Sequence, residues 1–557
     1  MKSSTISPFG LYGLTLVACV AVLLCLSCGG TGSGSAASSS DPPAPAIVPL
    51  TATDVATVVQ NAVLAVDAPM VVAVVDRGGN ILAVFETPGA PTTAIGDFGN
   101  TVAATELAVG LARTAAFFSN DQAPLSSRTV RYISGIHFPP GVAGTPNADL
   151  YGIENTNRGC TLSNNFLPGQ ALNPSRSIDG TQPGVGITTG KANTNDSLPF
   201  AVNPGGIPLF KGGPISTPGV GVVGGVGVVS TTSTGAINNP VVEYAALVGS
   251  SASGFLNLTQ VPPPGVVIVG GIALPFATQT TLPAGMSAGS MASYTGGTYI
   301  VPATAGVLPP EGWLVGPNAS SASVPGALAA SDVQEIIENA VSTAMITRAV
   351  IRLPLDSHAA MTIVVSDLDG TLLGFYRMHD GTIFSSDVAS EKARNVVWFG
   401  TSGVSDLPGI PPGTALTNRT ISFGAQPLFP PGIDGSGPGP FFPLFLFDLA
   451  HPCTQGPSSQ APPFQYPPNT NNMSGVLFFP GSLPLYRNGV LIGGVGVSGD
   501  GVDQDDFVTA GAVDAACGFG GPCGIPDFQA PVDIRADQIV IDNVRLPYQK
   551  FPRNPTE

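Results

Sequence analysis

The chain has 557 residues, a formal net charge of −16, only 10% charged residues against 43% hydrophobic ones, and 71 glycines with 55 prolines. This balance excludes a basic nucleic-acid binder, because too few cations are present to displace counterions from phosphates. It excludes a charged disordered protein, which lacks this much apolar material, and collagen, because the glycines have no three-residue period. The length predicts more than one domain.

Lys2 precedes an uncharged, mostly apolar run from Leu11 to Leu26. That run is shorter than the ~20 residues a membrane-spanning helix needs. It ends in Cys25-Leu26-Ser27-Cys28-Gly29, which resembles a bacterial lipobox and implies lipidation of Cys28. Residues 1–28 are therefore expected to form a lipoprotein-type export signal, with residues 29–47 a flexible Gly/Ser/Pro tether. A plain secretory signal or a retained anchor are the alternatives. Export permits disulfides. The seven-residue loop Cys517-Gly-Phe-Gly-Gly-Pro-Cys523 could close on itself as a Cys517–Cys523 disulfide, with free thiols or a metal site as alternatives.

Beyond the tether the chain repeats itself. Thr53-Asp54-Val55 with Val58-Val59-Gln60-Asn61-Ala62-Val63 matches Ser331-Asp332-Val333 with Ile336-Ile337-Glu338-Asn339-Ala340-Val341. The apolar spacing is helical, Thr53 or Ser331 can act as N-cap, and the aspartate complements the helix dipole. Val71–Val84 then matches Thr362–Phe375, each a strand, a tight turn at Gly78-Gly79 or Asp369-Gly370, and a second strand. Ala112-Arg113 with Phe117-Phe118 matches Ala393-Arg394 with Trp398-Phe399 and predicts a second helix. Arg128-Thr129 matches Arg419-Thr420, and Phe138-Pro-Pro-Gly141 matches Phe429-Pro-Pro-Gly432. Ile207-Pro208-Leu209-Phe210 and Gly224–Val228 match Leu483-Pro484-Leu485-Tyr486 and Gly493–Val497, predicting two further strands. Glu243 and Asp506 open a last helix.

Two homologous domains follow, at residues 48–250 and 325–520, joined by a Pro/Gly-rich connector at 251–324 and followed by a tail at 521–557. Long Pro/Gly-rich insertions, 145–204 and 433–480, fall at the same place in each copy, and each carries one cysteine, Cys160 or Cys453. The two cysteines either join the copies in a disulfide or remain free thiols.

The ordered blocks resemble the GlcG/HbpS-like family of heme-binding proteins, related to the C-terminal domain of PduO. The residues that carry the resemblance are Val74-Val75-Asp76-Arg77-Gly78-Gly79-Asn80 in the first copy. In the second they are Ile492-Gly493-Gly494-Val495-Gly496-Val497-Ser498-Gly499 and Gln504-Asp505-Asp506. The resemblance implies an α+β fold of two profilin-like domains, each an antiparallel sheet flanked by helices. It also implies binding of heme or a related tetrapyrrole outside the cytoplasm, with oligomeric assembly that the duplication would mimic as an intrachain pseudo-dimer.

Few residues suit that chemistry. Heme iron takes His, Met, Cys or Tyr, and the chain has four histidines, His137, His358, His379 and His451. His137 precedes the Phe-Pro-Pro-Gly turn and faces Leu428 in the alignment of the copies, while Asp380 could orient His379. These two are the candidate ligands. Arg113, Arg394, Arg128 and Arg419, present in both copies, are candidate propionate partners, or else pair with a helix end or an aspartate. Asp367-Leu368-Asp369-Gly370-Thr371 with Gly499-Asp500-Gly501-Val502-Asp503 resembles the acidic motifs of haloacid-dehalogenase-type phosphatases. However, the first copy has Asp76-Arg77-Gly78-Gly79-Asn80 at the same hairpin, so the shared element reads as a turn rather than a catalytic pair. Asp500, Asp503, Asp505 and Asp506 lack a calcium-loop pattern and read as acids drawn to a helix N-terminus. The sequence thus favours a binding protein over an enzyme, with a non-catalytic surface assembly module as the second reading.

Overall fold

The computed structural model describes residues 47–556 apart from 96–100, 143, 145–148, 161, 173–202, 402–404, 461–471 and 514–527. The lipobox Cys28 and the pair Cys517 and Cys523 lie outside the described residues.

Helix α1 (Ala52–Ala65) starts two residues earlier than its sequence suggests. Thr51, not Thr53, is the N-cap: its Oγ1 accepts from Asp54 N (3.1 Å) and its N–H donates to Asp54 Oδ2 (2.8 Å). The chain then forms β1 (Val71–Asp76) and β2 (Ile81–Glu86), a hairpin whose turn is closed by Gly79 at φ +86°. Helices α2 (Ala104–Phe118) and α3 (Ser127–Ile133) follow, then β3 (Gly206–Lys211), β4 (Gly221–Val229) and α4 (Asn239–Ser251).

The connector holds four short strands, of which two longer ones, β5 (Thr298–Val301) and β6 (Gly312–Val315), join the main sheets. The second repeat runs α5 (Ala330–Ala344), β7 (Thr362–Ser366), β8 (Leu372–Arg377), α6 (Phe384–Gly400), α7 (Asn418–Gly424), an insertion helix α8 (Phe442–Ala450), β9 (Ser482–Arg487), β10 (Val490–Ser498) and α9 (Val502–Val513). Ala329 cannot cap through its side chain, so α5 keeps half of the box, with Ala329 N donating to Asp332 Oδ2 (2.8 Å).

The first sheet has strand order β3-β4-β1-β2-β5 and the second β9-β10-β7-β8-β6, all neighbours antiparallel. The α+β expectation is met, and the two sheets share one topology. The connector is not a plain spacer: it adds one edge strand to each sheet, β5 beside β2 and β6 beside β8.

Alternation along the central strands sets the layers. Val72 and Val74 of β1 pack with α1 and α4, while Val71, Ala73 and Val75 face α2 and a core shared with the second repeat. That shared core takes in Val364 of β7 and Phe384, Val388 and Ala389 of α6. The rings of Phe118 and Phe384 stack across the boundary with centroids 4.2 Å apart. The Gly-Gly-Val-Gly pattern of β4 and β10 is a packing device. A Cβ on Gly227 would lie 2.0 Å from Ala108 O, and one on Gly496 would lie 2.2 Å from Ala389 O, so α2 and α6 press their backbones onto the sheets.

Candidate functional site

A cavity of about 760 Å³ lies where the two repeats meet. Phe118, Leu125, Ile133 and Phe138 line it from the first repeat, Val269 and Leu274 from the connector, and Phe384, Val388 and Phe479 from the second. Ser498, Gly499 and residues 501–505, at the end of β10 and the start of α9, form another wall, and Pro552 and Arg553 of the tail complete the rim. Its size suits a small organic ligand, as does its mostly apolar wall with few polar groups.

The polar groups are nearly all spoken for. Lys392, on the face of α6 that carries Phe384 and Val388, donates to Val497 O (2.7 Å) and to Asp505 Oδ2 (2.8 Å). Both side chains are buried. Burial pushes the Asp505 carboxyl up to about 7 against the pull of Lys392, and burial lowers Lys392. Asp505 Oδ1 is buried and accepts no hydrogen bond from the described residues. Asp503 pairs with Arg419 (2.6 Å) and Lys550 (3.0 Å), and Asp149 lies 3.7 Å from Lys550. Arg553 is exposed and makes no ion pair among the described residues.

None of the six side chains singled out for a cofactor lines this cavity. Arg113 and Arg394 are buried behind the hairpin turns, where each Nε donates to the turn carbonyl, Gly79 O or Gly370 O, at 2.9 Å. Arg394 also reaches Ser474 Oγ (2.9 Å) and Leu162 O (2.6 Å). Arg128 Nε donates to Glu243 Oε1 at 2.5 Å, and Arg419 pairs with Asp506 in the same way. These are the acids at the start of the last helix of each repeat. The arginines therefore tie α3 to α4 and α7 to α9, because a buried guanidinium needs a fixed counter-charge. His137 Nε2 lies 2.9 Å from Asp434 Oδ1, and His379 Nδ1 lies 3.0 Å from Glu311 Oε2. The two histidines thus contact carboxylates at separate places, Asp434 and Glu311.

The phosphatase-like acids also part company. Asp367 accepts from Ser320 Oγ (2.7 Å) and Ser321 N (2.9 Å) of the connector, and from Leu368 N (2.8 Å). Asp500 takes Arg352 Nε (2.5 Å) and Ala360 N (2.7 Å). The strands that carry them are antiparallel. Asp500, Asp505 and Asp506 are each held by a specific cation, a closer tether than the helix-dipole attraction expected of them.

Sequence reading missed a buried network across the repeats. Arg77 bridges Asp121 (2.8 Å) and Asp380 (2.7 Å), and Arg352 bridges Asp380 (2.5 Å) and Asp500 (2.5 Å). These residues are up to several hundred positions apart, so no local pattern announces them. Cys160 and Cys453 form a disulfide with Cα atoms 5.3 Å apart, joining the two insertions. Of the two alternatives left open for these cysteines, the structure takes the bridge.

Among the described lining residues there is no His, Met, Cys or Tyr, the side chains that ligate heme iron. The described part of the wall therefore offers none of these donors to a metal. Among the described residues no helix is long and apolar enough to cross a membrane.

Two solved structures are similar to part of this chain. One, titled the crystal structure of a PduOC:heme complex, is 24% identical over 33% of this chain and 92% of its own, with a TM-score of 0.21. The other, Klebsiella pneumoniae protein ORFY of family DUF336, is 19% identical over 34% of this chain and 90% of its own, again with a TM-score of 0.21. No curated protein matches the chain. Residues 330–514, which span the second repeat from α5 to α9, match the model of the family described as "Haem degrading protein HbpS-like".

Proposed function

We propose that the protein binds a tetrapyrrole, heme or a relative of it, in the cavity between its two repeats. The observation that carries this reading is the mostly apolar chamber of about 760 Å³. Its second-repeat wall lies within the segment similar to the HbpS-like family. The macrocycle would lie among Phe118, Phe138, Phe384 and Phe479, and Arg553 at the rim would face the ligand's carboxylates. Burial among these apolar side chains would carry the binding.

The setting we propose is outside the cytoplasm, with the chain exported and held to a membrane through lipidated Cys28. The lipobox-like segment and the Cys160–Cys453 bridge support this, because such bridges persist in oxidising compartments. The second reading, an assembly module without ligand, draws on the structural employment of Arg113, Arg128, Arg394 and Arg419.

Titration of hemin and of metal-free protoporphyrin IX into the full chain tests the proposal by absorbance and tryptophan quenching. A saturable one-to-one change with at least one ligand is expected, weakened at least tenfold by Val269→Trp, which fills the chamber from its connector wall. No saturable change with either ligand, in protein shown to be folded, overturns it in favour of the assembly reading.

A further inference from the structure

The duplication runs further than α4 and α9. After each of these helices the chain forms a short antiparallel hairpin, Ile268–Val269 with Ile272–Ala273 in the connector and Val540–Ile541 with Val544–Arg545 in the tail. Both turn residues are left-handed in each, Gly270 and Gly271 at φ +58° and +82°, Asp542 and Asn543 at +52° and +63°. Each hairpin leads into Leu-Pro-Phe or Leu-Pro-Tyr, and the outgoing strand is pinned alike in both copies. Ser126 Oγ and Thr129 Oγ1 donate to Phe276 O (2.5 Å) and Pro275 O (2.8 Å). Thr417 Oγ1 and Thr420 Oγ1 donate to Tyr548 O (2.5 Å) and Pro547 O (2.7 Å).

The incoming strand is held in one copy only. In the second repeat Ala415 N donates to Ile534 O (2.9 Å) and Ala536 N donates to Ala415 O (3.0 Å). Register through Leu125 and Leu416 sets Pro124 opposite Ala415, and register through Leu274 and Leu546 sets Pro264 opposite Ala536. Proline has no N–H, so the first repeat can form neither bond. Among the described residues, none outside the hairpin hydrogen-bonds to residues 265–274. Their hold on the body is apolar: Val267 and Leu274 sit in the shared core, and a Cβ on Gly270 would lie 3.7 Å from Phe138 Cε1. This unclamped hairpin is also a wall of the cavity, through Val269, Gly270 and Leu274.

We infer that residues 265–274 form a flap over the cavity, hinged at Pro275 and Phe276, by which the ligand enters and leaves. The tail hairpin is the same device clamped shut. The nature of the ligand rests on the tetrapyrrole reading above, while the opening of the flap does not.

Hydrogen exchange resolved to single amides, on the ligand-free full chain, tests the flap. Leu274 N–H bonds to Val267 O (2.8 Å) and Leu546 N–H to Ile539 O (3.1 Å), twin bonds on residues that are both buried. Leu274 should nevertheless exchange faster than Leu546 by about tenfold or more, because exchange reads local opening. Pro124→Ala/Pro264→Ala gives the first repeat the second's own alanines, outside the cavity lining, and should bring the two amides within about threefold. In that variant stopped-flow association and dissociation of protoporphyrin IX should both slow by about fivefold or more, since a clamped gate retards passage in either direction. The reverse change, Ala536→Pro, keeps the test open if the double variant folds poorly. Arg535 before it is already extended (φ −74°, ψ 148°), as a residue ahead of proline must be, and exchange at Leu546 should rise. Equal protection of the two amides in the parent chain, or ligand rates unmoved in a double variant whose Leu274 has become protected, overturns the inference. Saturable binding of protoporphyrin IX in that case leaves the tetrapyrrole reading standing. A fast-exchanging Leu274 in a chain that binds neither hemin nor protoporphyrin IX supports the flap and overturns that reading instead.

Discussion

At the scale of single residues, a few buried charges are held in place by others. Asp387 and Glu391 lie one turn apart on α6, both fully buried, near Arg158 and Asp448. Burial drives the Asp387 carboxyl up to about 6, and burial with the neighbouring Asp387 drives Glu391 well above the usual carboxylate range. The folded state therefore keeps a proton that the unfolded chain releases above about pH 4.5, so this pair costs stability as pH rises from there toward the folded values. Glu391→Gln removes that loss. Denaturant unfolding should find the variant equal to the parent within about 0.5 kcal/mol near pH 4.5 and more stable by at least about 1 kcal/mol at pH 8. The opposite holds for Arg128. Its removal in Arg128→Ala strands buried Glu243 and should cost about 3–5 kcal/mol in the same measurement. Sequence comparison of the copies found these arginines, and it offered a helix-end or aspartate partner as one of two uses. It could not choose between them, because the partner acids lie 115 and 87 residues downstream.

At the scale of elements, helices and hairpins were legible because each carries its own period and turn. The Val71–Asp76 and Ile81–Glu86 strands fall where two apolar runs on either side of the Gly78-Gly79 turn place them. Strands β5 and β6 were not legible, since four-residue edge segments inside a Pro/Gly-rich stretch have too little pattern to stand out. Their strand identity comes from the open edges of β2 and β8 that they cover. The Gly-Gly-Val-Gly motif could be seen but not understood without the helix lying on it. Gly496→Ala should therefore cost about 2 kcal/mol or more, as overpacking against Ala389 O, while Gly437→Ala, with nothing within 4 Å of its new Cβ, should change stability by under about 0.5 kcal/mol. Thermal or denaturant unfolding of the pair checks this.

At the scale of the whole molecule, the two repeats share a core, a charge network, a disulfide and a cavity. Phe118 and Phe384 stack across the boundary, and Arg77 reaches Asp380 from the first repeat to the second. The Cys160–Cys453 bridge closes a span of 293 residues, so Cys453→Ser or reduction should lower stability by about 2–5 kcal/mol, read as a fall in Tm under reducing conditions. The cavity itself was beyond sequence reading, because its walls come from six separated stretches of chain.

Fusing the two copies has a consequence for how such a chamber can diverge. In an assembly of identical subunits every substitution is written on both walls at once, so symmetry constrains the chemistry at the axis. Here one gene encodes each wall independently. Pro124 and Pro264 stand opposite Ala415 and Ala536, and the chamber is free to acquire a front and a back.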